Sequence, residues 1–212
     1  MKARVISVMP IKLNSERLAN KNIRFLGDKP LMQYIQRTLM QIPLIDKRFV
    51  YCSNSKICDY LMDGVIYLPR PVCLDENKTN FSQIFEKFYA EIEADIYVYA
   101  HATAPFVQSD TIIDCIEKVL NGDYDSAFTA IKIQDFLWKD GKALNFDAEN
   151  IPRSQDLDVI YRETNGVYVF KREVFEQYHR RVGVHPYIKE VGYREAVDIN
   201  TSEDFEYAEK LL

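Results

Sequence analysis

Apolar and polar positions alternate along the chain in two periods. The runs RVISVMP, RFVYCS, VIYLP, DIYVYAHATAP and DSAFTAIKI are short, rich in β-branched and aromatic residues, and bounded by polar or turn residues, so they read as strands. Between them the spacing turns helical. Leu31, Tyr34, Ile35 and Leu39 recur behind a turn at Gly27-Asp28 and behind Pro30, which suits a first helical turn. Phe81, Ile84, Phe85, Phe88 and Ile92 make one apolar stripe with Asn80 as its N-cap. SDTIIDCIEKVLNG reads as a capped helix closed by Gly122. Residues 134–157 lose both periods; with Trp138, KDGK and an Asp/Asn/Pro-rich stretch they read as a loop or small hairpin projecting from the main body. Order returns with VIYRETNGVYVF, a helix REVFEQYHR, a strand EAVDI and a last helix SEDFEYAEKLL, and no internal repeat is visible.

Strands separated by helices predict βαβ units, and hence an α/β fold with a mostly parallel sheet covered on both faces. Ligands bind such sheets beyond the carboxyl ends of the strands. That rule directs attention to the polar loops after SVMP, VYCS, VYAH and AVDI.

Size and composition narrow the classes. A chain of 212 residues with 47% apolar and 28% charged residues suits a single globular domain, 1–212. A net charge of −5 argues against a chain whose task is to coat nucleic acid. No apolar run approaches the roughly 20 residues of a membrane helix, and the amino-terminal run lacks the length and cleavage site of a secretory signal. Cys52, Cys58, Cys73 and Cys115 form no CxxC pair and read as structural thiols of a reducing compartment, so a cytoplasmic location is expected.

The stretch KLNSERLANKN follows the first strand directly, where α/β sheets commonly hold phosphates with backbone N–H groups and cations. Lys12, Arg17 and Lys21 bring positive charge, and Asn14, Ser15 and Asn22 bring neutral hydrogen bonds. A solvated surface loop would account for the same residues equally well. Neither GxxxxGK[ST] nor GxGxxG is present, which disfavours P-loop NTPases and dinucleotide-binding enzymes.

MPIKLNSERLANKNIRFLGDKPLMQYIQRTL resembles the amino-terminal signature of the acylneuraminate cytidylyltransferases, A-R-x-x-S-K-x-L-x-x-K-N followed by Gly-x-P/S-L at a helix start. Further along, VYCSNSKIC, LPRPVCLDENKTNFSQIF, YAHATAPFVQSDTIIDCI, YRETNGVYVF and AVDINTSEDFEYAE resemble the family's later segments in the same order. The resemblance implies a Rossmann-like nucleotidyltransferase three-layer fold with a small dimerisation excursion. It also implies transfer of CMP from CTP to the anomeric hydroxyl of a 2-keto sugar acid, with Mg²⁺ as cofactor and pyrophosphate released. Such chemistry asks for positioning and charge neutralisation rather than a covalent nucleophile. By this resemblance Lys12 and Lys21 face the triphosphate, Asn14, Ser15 and Arg17 shape the loop, and Asn22, Arg70, Asn80 and Ser82 extend the nucleotide pocket. His101, Lys139, Arg162 and Asn165 fall on the acceptor side, with Arg162 either forking onto a carboxylate or pairing with Glu163 or Asp158. Asp198 and Asn200 fall at the Mg²⁺ site, although Asp198 by position alone also suits an acid before a helix N-terminus.

Four positions depart from the pattern. Lys12 stands for an arginine, Glu16 for a lysine, His101 for a glutamine and Asn200 for the second aspartate of D-I-D-T. These departures suggest a shifted acceptor, a variant metal site or a silent nucleotide-binding homologue. A 3-deoxy-manno-octulosonate-type synthetase is the neighbouring alternative; Lys21-Asn22 and HATAP favour the sialate branch, and pseudaminate or legionaminate are further acceptors. Phe136, Leu137 and Trp138 make an apolar cluster within 134–157 that suits a homodimer contact, or a loop tucked onto the body.

Overall fold

A computed structural model describes residues 2–15 and 17–212. The first strand, β1 (Val5–Ile11), is buried along nearly its whole length. It is followed by a 3-10 turn at Lys21–Ile23, a two-stranded ribbon of β2 (Phe25–Leu26) and β3 (Lys29–Pro30), and helix α1 (Leu31–Met40). Then come β4 (Lys47–Cys52), β5 (Val65–Pro69), α2 (Phe81–Glu91), β6 (Ile96–Ala100), α3 (Ser109–Leu120) and β7 (Ser126–Ile133). A small hairpin of β8 (Trp138–Lys139) and β9 (Lys142–Ala143) precedes the long β10 (Ile160–Lys171). Helix α4 (Arg172–Tyr178), edge strand β11 (Pro186–Glu190) and helix α5 (Ser202–Lys210) complete the chain.

Seven strands form one sheet in the order β11-β7-β10-β6-β1-β4-β5. The pairs β1–β4, β1–β6, β4–β5 and β7–β11 are parallel, and β10 runs antiparallel between β6 and β7. Strand order reverses at β1, whose neighbours are β4 on one side and β6 on the other, so a crevice opens over their carboxyl ends.

Helices cover both faces and make three layers. Met32 and Ile35 of α1 and Ile112, Cys115 and Ile116 of α3 pack on one face with Val50, Val98 and Val169. Phe85 and Phe88 of α2 and Phe175 of α4 pack on the other with Tyr97 and Phe170. Phe85 lies at the centre of this aromatic layer, its ring 4.7 Å from Phe175, 5.0 Å from Tyr97 and 5.1 Å from Phe170. Helix α2 starts where the sequence places it: Asn80 Oδ1 accepts from Gln83 N–H, and Gln83 Oε1 accepts from Asn80 N–H. Pro30 stands one residue ahead of α1, at its N-cap, and also pairs with Phe25 in the ribbon.

One expected strand is absent and one unexpected strand is present. EAVDI is not a strand: Glu195 and Ala196 lie in a turn, Val197 and Ile199 bury their side chains with Leu26, Leu31 and Phe205 in a separate small core, and Ile199 N–H donates to Thr103 O just past β6. Its alternation reflects that core, not a ladder. The strand that does occupy this region, β11, escaped notice because Lys189, Glu190 and Pro186 dilute its apolar signal. Lys189 and Tyr187 both reach Asp114 on α3, at 2.8 and 2.9 Å, so an edge strand is docked by polar contacts as well as by its ladder.

Residues 134–157 carry the β8–β9 hairpin, turned at Asp140 and Gly141, both of which have positive φ. Phe136 and Trp138 meet Phe146 edge-on at 4.9 and 5.4 Å, and the Trp138 side remains 60% exposed. All four cysteines are free; Cys52 and Cys115 are buried, whereas Cys58 and Cys73 are exposed. Among the described residues no helix is long and apolar enough to cross a membrane.

Candidate active site

The loop leaving β1 folds back on itself. Asn22 Nδ2 donates to Lys12 O at 3.0 Å, and Asn20 takes a left-handed conformation that turns the chain into the Lys21–Ile23 turn. Lys21 is thereby driven inward, where its ammonium donates to Ile199 O at 2.6 Å. Burial holds its pKa below the usual lysine range, and the nearby Asp198 carboxylate opposes part of that shift.

These residues form one wall of a cleft of about 260 Å³ over the carboxyl ends of β1 and β6. Lys12, Ser15, Arg17, Lys21 and Asn22 line that wall. Arg70, just past β5, lines the other. Its backbone N–H donates to Cys52 O, its guanidinium pairs with Asp75, and Asp75 in turn accepts from Ser53 Oγ at 2.5 Å. Arg70 Nε is buried with no partner in the protein, an orphaned donor beside a cleft that would welcome an anion. Lys12 reaches across the mouth to Asn77 Oδ1 at 2.7 Å and Asp75 O at 3.3 Å.

His101 forms part of the floor, anchored by its N–H to Gly166 O. Its Nε2 lies 3.5 Å from the Arg181 guanidinium, which stacks 3.6 Å above the Tyr168 ring. Burial first, and then the charges of Arg181 and Lys21, push the imidazole pKa down to about 3. His101 is therefore neutral near pH 7, with Nε2 accepting from Arg181 and the proton on Nδ1.

The third side is the irregular segment before α5. Asp198 accepts from Thr103 Oγ1 at 2.5 Å and from Asn200 Nδ2 at 2.8 Å, and Asn200 Oδ1 accepts from Arg17 at 3.0 Å. Asp204 accepts from the N–H groups of Asn200 and Thr201 and belongs to the capping box of α5. On the far side of Asp198 lies a second cavity of about 470 Å³ lined by Arg162, Asn165, Tyr193 and Asn200. Asn165 has a left-handed backbone at an irregularity in β10, which turns that stretch toward the cavity, and Tyr168 Oη donates to Glu163 and lies 3.0 Å from Asn165 Oδ1.

The fold thus brings Lys12, Ser15, Arg17, Lys21, Asn22, Arg70 and His101 to one cleft, and Arg162, Asn165, Asp198 and Asn200 to the adjoining cavity. Asn14 lines a side groove with Asp75 and Asn77. Three further expected residues line none of these spaces. Asn80 is spent on capping α2, Ser82 Oγ donates to His179 O at 2.6 Å, and Lys139 sits in the exposed hairpin. Glu16 lies outside the described residues. Sequence reading passed over Thr103, Asp75 and Arg181; a hydroxyl in a small-residue loop and an arginine after a helix carry no pattern that marks them. Among the described residues no group of three or more His, Cys, Asp or Glu side chains is arranged to hold a metal ion.

A three-layer, mostly parallel sheet with a cationic cleft at its switch point is an architecture suited to holding a nucleotide, and nucleotidyltransferases are built on it. The family model described as cytidylyltransferase matches residues 6–212, and the chain belongs to that family. It is 25% identical over 189 residues to a 3-deoxy-manno-octulosonate cytidylyltransferase of Chlamydia pneumoniae, covering 82% of this chain and 73% of the relative. It is 21% identical over 213 residues to an N-acylneuraminate cytidylyltransferase of Streptococcus agalactiae, covering 94% of this chain and 51% of the relative. A bifunctional pseudaminic acid cytidylyltransferase and hydrolase of Helicobacter pylori is 23% identical, and the chain spans 36% of its length. The structure of a CMP:2-keto-3-deoxy-manno-octonic acid synthetase complexed with CTP shares the fold with a TM-score of 0.73 at 15% identity, covering 99% of this chain and 98% of that one.

Proposed function

We propose that the chain transfers CMP from CTP to the anomeric hydroxyl of a sialic-acid-like 2-keto sugar acid. The observation that carries this reading is the direct link between the two cavities: Arg17 lines the cationic cleft, Asn200 lines the neighbouring one, and they are hydrogen-bonded at 3.0 Å. A triphosphate in the first space and an acid in the second would meet at Asp198.

In this scheme Lys12, Arg17, Lys21 and Arg70 neutralise the triphosphate, with the unpartnered Arg70 Nε as a ready donor. The anomeric oxygen attacks the α-phosphorus, the bond from that phosphorus to the bridging oxygen breaks, and pyrophosphate leaves with its negative charge held by these cations. The hydroxyl proton passes to solvent. Arg162 would fork onto the acceptor carboxylate, and Asn165, which lines the same cavity, would bond its hydroxyls.

Asp198 suits Mg²⁺: a carboxylate that lines the second cavity and is bonded by Thr103 of the first is the hard oxygen donor this ion takes. Mg²⁺ held there would supply Lewis-acid neutralisation of phosphate charge. Thr103 keeps the carboxylate in place for it.

The exposed Trp138 face of the hairpin supports a homodimer, which size-exclusion chromatography would separate from a monomer. Four free thiols fit a reducing compartment such as the cytoplasm, where CTP is available. The deciding experiment incubates the chain with CTP, Mg²⁺ and a panel containing N-acetylneuraminate, pseudaminate, legionaminate and 3-deoxy-manno-octulosonate, and measures pyrophosphate. Release with one of the first three supports the reading. Release with the last alone moves the chain to the octulosonate type, and CTP binding without turnover marks a silent homologue.

A further inference from the structure

The hydrogen bond between Arg17 and Asn200 that links the two cavities also fixes the charge at their shared corner. Arg17 projects from the exposed part of the loop after β1, lines the cleft and its outer mouth, and donates to Asn200 Oδ1 at 3.0 Å. The other end of the same amide donates to Asp198 Oδ2 at 2.8 Å. Its neighbours dictate that orientation. Turned over, the amide would set its oxygen against a carboxylate and its NH₂ against a guanidinium, exchanging two attractive contacts for two repulsive ones.

With its oxygen accepting from Arg17, Asn200 turns its NH₂, a donor and no metal ligand, toward the Asp198 carboxylate. A carboxylate at position 200 would place two like charges two residues apart beside the cleft, an arrangement that a divalent ion relieves. Here the corner already holds a fixed positive charge, planar and able to fork onto two phosphate oxygens.

We propose that Arg17, braced by Asn200, binds the triphosphate directly and takes the electrostatic place of a second divalent cation, so that the chain works with a single metal ion at Asp198. This rests on the nucleotide reading of the cleft. It assigns Asn200 a positioning role toward Arg17 rather than a place among the metal ligands.

The test is calorimetric titration of CTP into the full chain in EDTA and in Mg²⁺, with counting of Mn²⁺ in the CTP complex by electron paramagnetic resonance. The wild-type chain should bind CTP in EDTA and hold one Mn²⁺ per bound nucleotide. Arg17→Ala should weaken binding in EDTA by about ten- to a hundredfold, the worth of one charge-assisted hydrogen bond, with a smaller loss in Mg²⁺. Arg17→Lys should fall between, because it restores a point charge without the fork. Arg17 is exposed, so thermal midpoints should match across the series. Two Mn²⁺ per nucleotide, or unchanged affinity of Arg17→Ala in EDTA, would overturn this inference and leave the nucleotide site standing. Failure of the wild-type chain to bind CTP under either condition would remove the nucleotide reading itself.

Discussion

The ammonium of Lys21 donates a 2.6 Å hydrogen bond to the carbonyl oxygen of Ile199, joining the loop after the first strand to the segment before the last helix. That contact closes the cleft from a side no local sequence pattern could supply. It also places a cation beside Asp198, so the two ends of the chain build one site.

The buried ammonium should titrate early. Because the pKa of Lys21 is lowered in the fold, kcat/KM for CTP should fall on the alkaline side at a pH below 10.5. Between the lowered value and 10.5 the unfolded chain binds more protons than the folded one, so this group makes folding stability rise with pH across that window. Lys21→Arg should move the alkaline limb upward, and pH profiles of both forms would show it.

His101 should behave as a neutral side chain. Its pKa of about 3 against 6.5 in the unfolded chain means that, as pH falls from 6.5 toward 3, the unfolded chain takes up the proton first and stability is lost. His101→Gln should flatten that acid loss in urea titrations and leave kcat at pH 7.5 within a few-fold. An imidazole resonance that titrates near 6.5 in the folded protein would contradict the assignment.

Asp198→Asn should lower the rate of pyrophosphate release by roughly a hundred- to a thousandfold, the scale of losing one charge-stabilising group at a reacting centre. Thr103→Val removes the hydroxyl that holds the same carboxylate and should cost roughly tenfold. Thermal melts of both variants should stay close to wild type, which separates chemistry from folding.

Ser82→Ala should leave CTP affinity unchanged. Its hydroxyl bonds the His179 carbonyl at 2.6 Å and lines neither cavity, so the loss falls on stability, at about 1 kcal/mol. A tenfold rise in the CTP dissociation constant would return Ser82 to the nucleotide site.

Phe85→Ala should cost about 3–5 kcal/mol, because the ring sits at the centre of the aromatic layer between α2, α4 and the sheet. Equilibrium urea unfolding would measure it. A loss below 1 kcal/mol would mean the layer collapses to fill the space.

Most elements were legible in the sequence because burial on a sheet or under a helix leaves a period in the residues themselves. The run of β1, the stripe of α2 with its Asn80-to-Gln83 cap, and the Gly122 stop after α3 are of this kind. Lys12, Arg17 and Lys21 were visible as cations at a strand end, and Asp198 as an acid before a helix. Tertiary structure alone decided what those signals meant. Val197 and Ile199 alternate like a strand but serve a side core, and β11 became a strand through partners on β7 and α3 rather than through its own pattern. Asn80 and Ser82 shared a motif region with Arg70, yet a cap and a carbonyl claimed them. Arg181 joined the site only because β10 carries Tyr168 beneath it and the turn after β6 carries His101 beside it. Local sequence encodes how a segment buries itself, whereas a binding site is made of side chains from distant segments whose meeting depends on the whole sheet order.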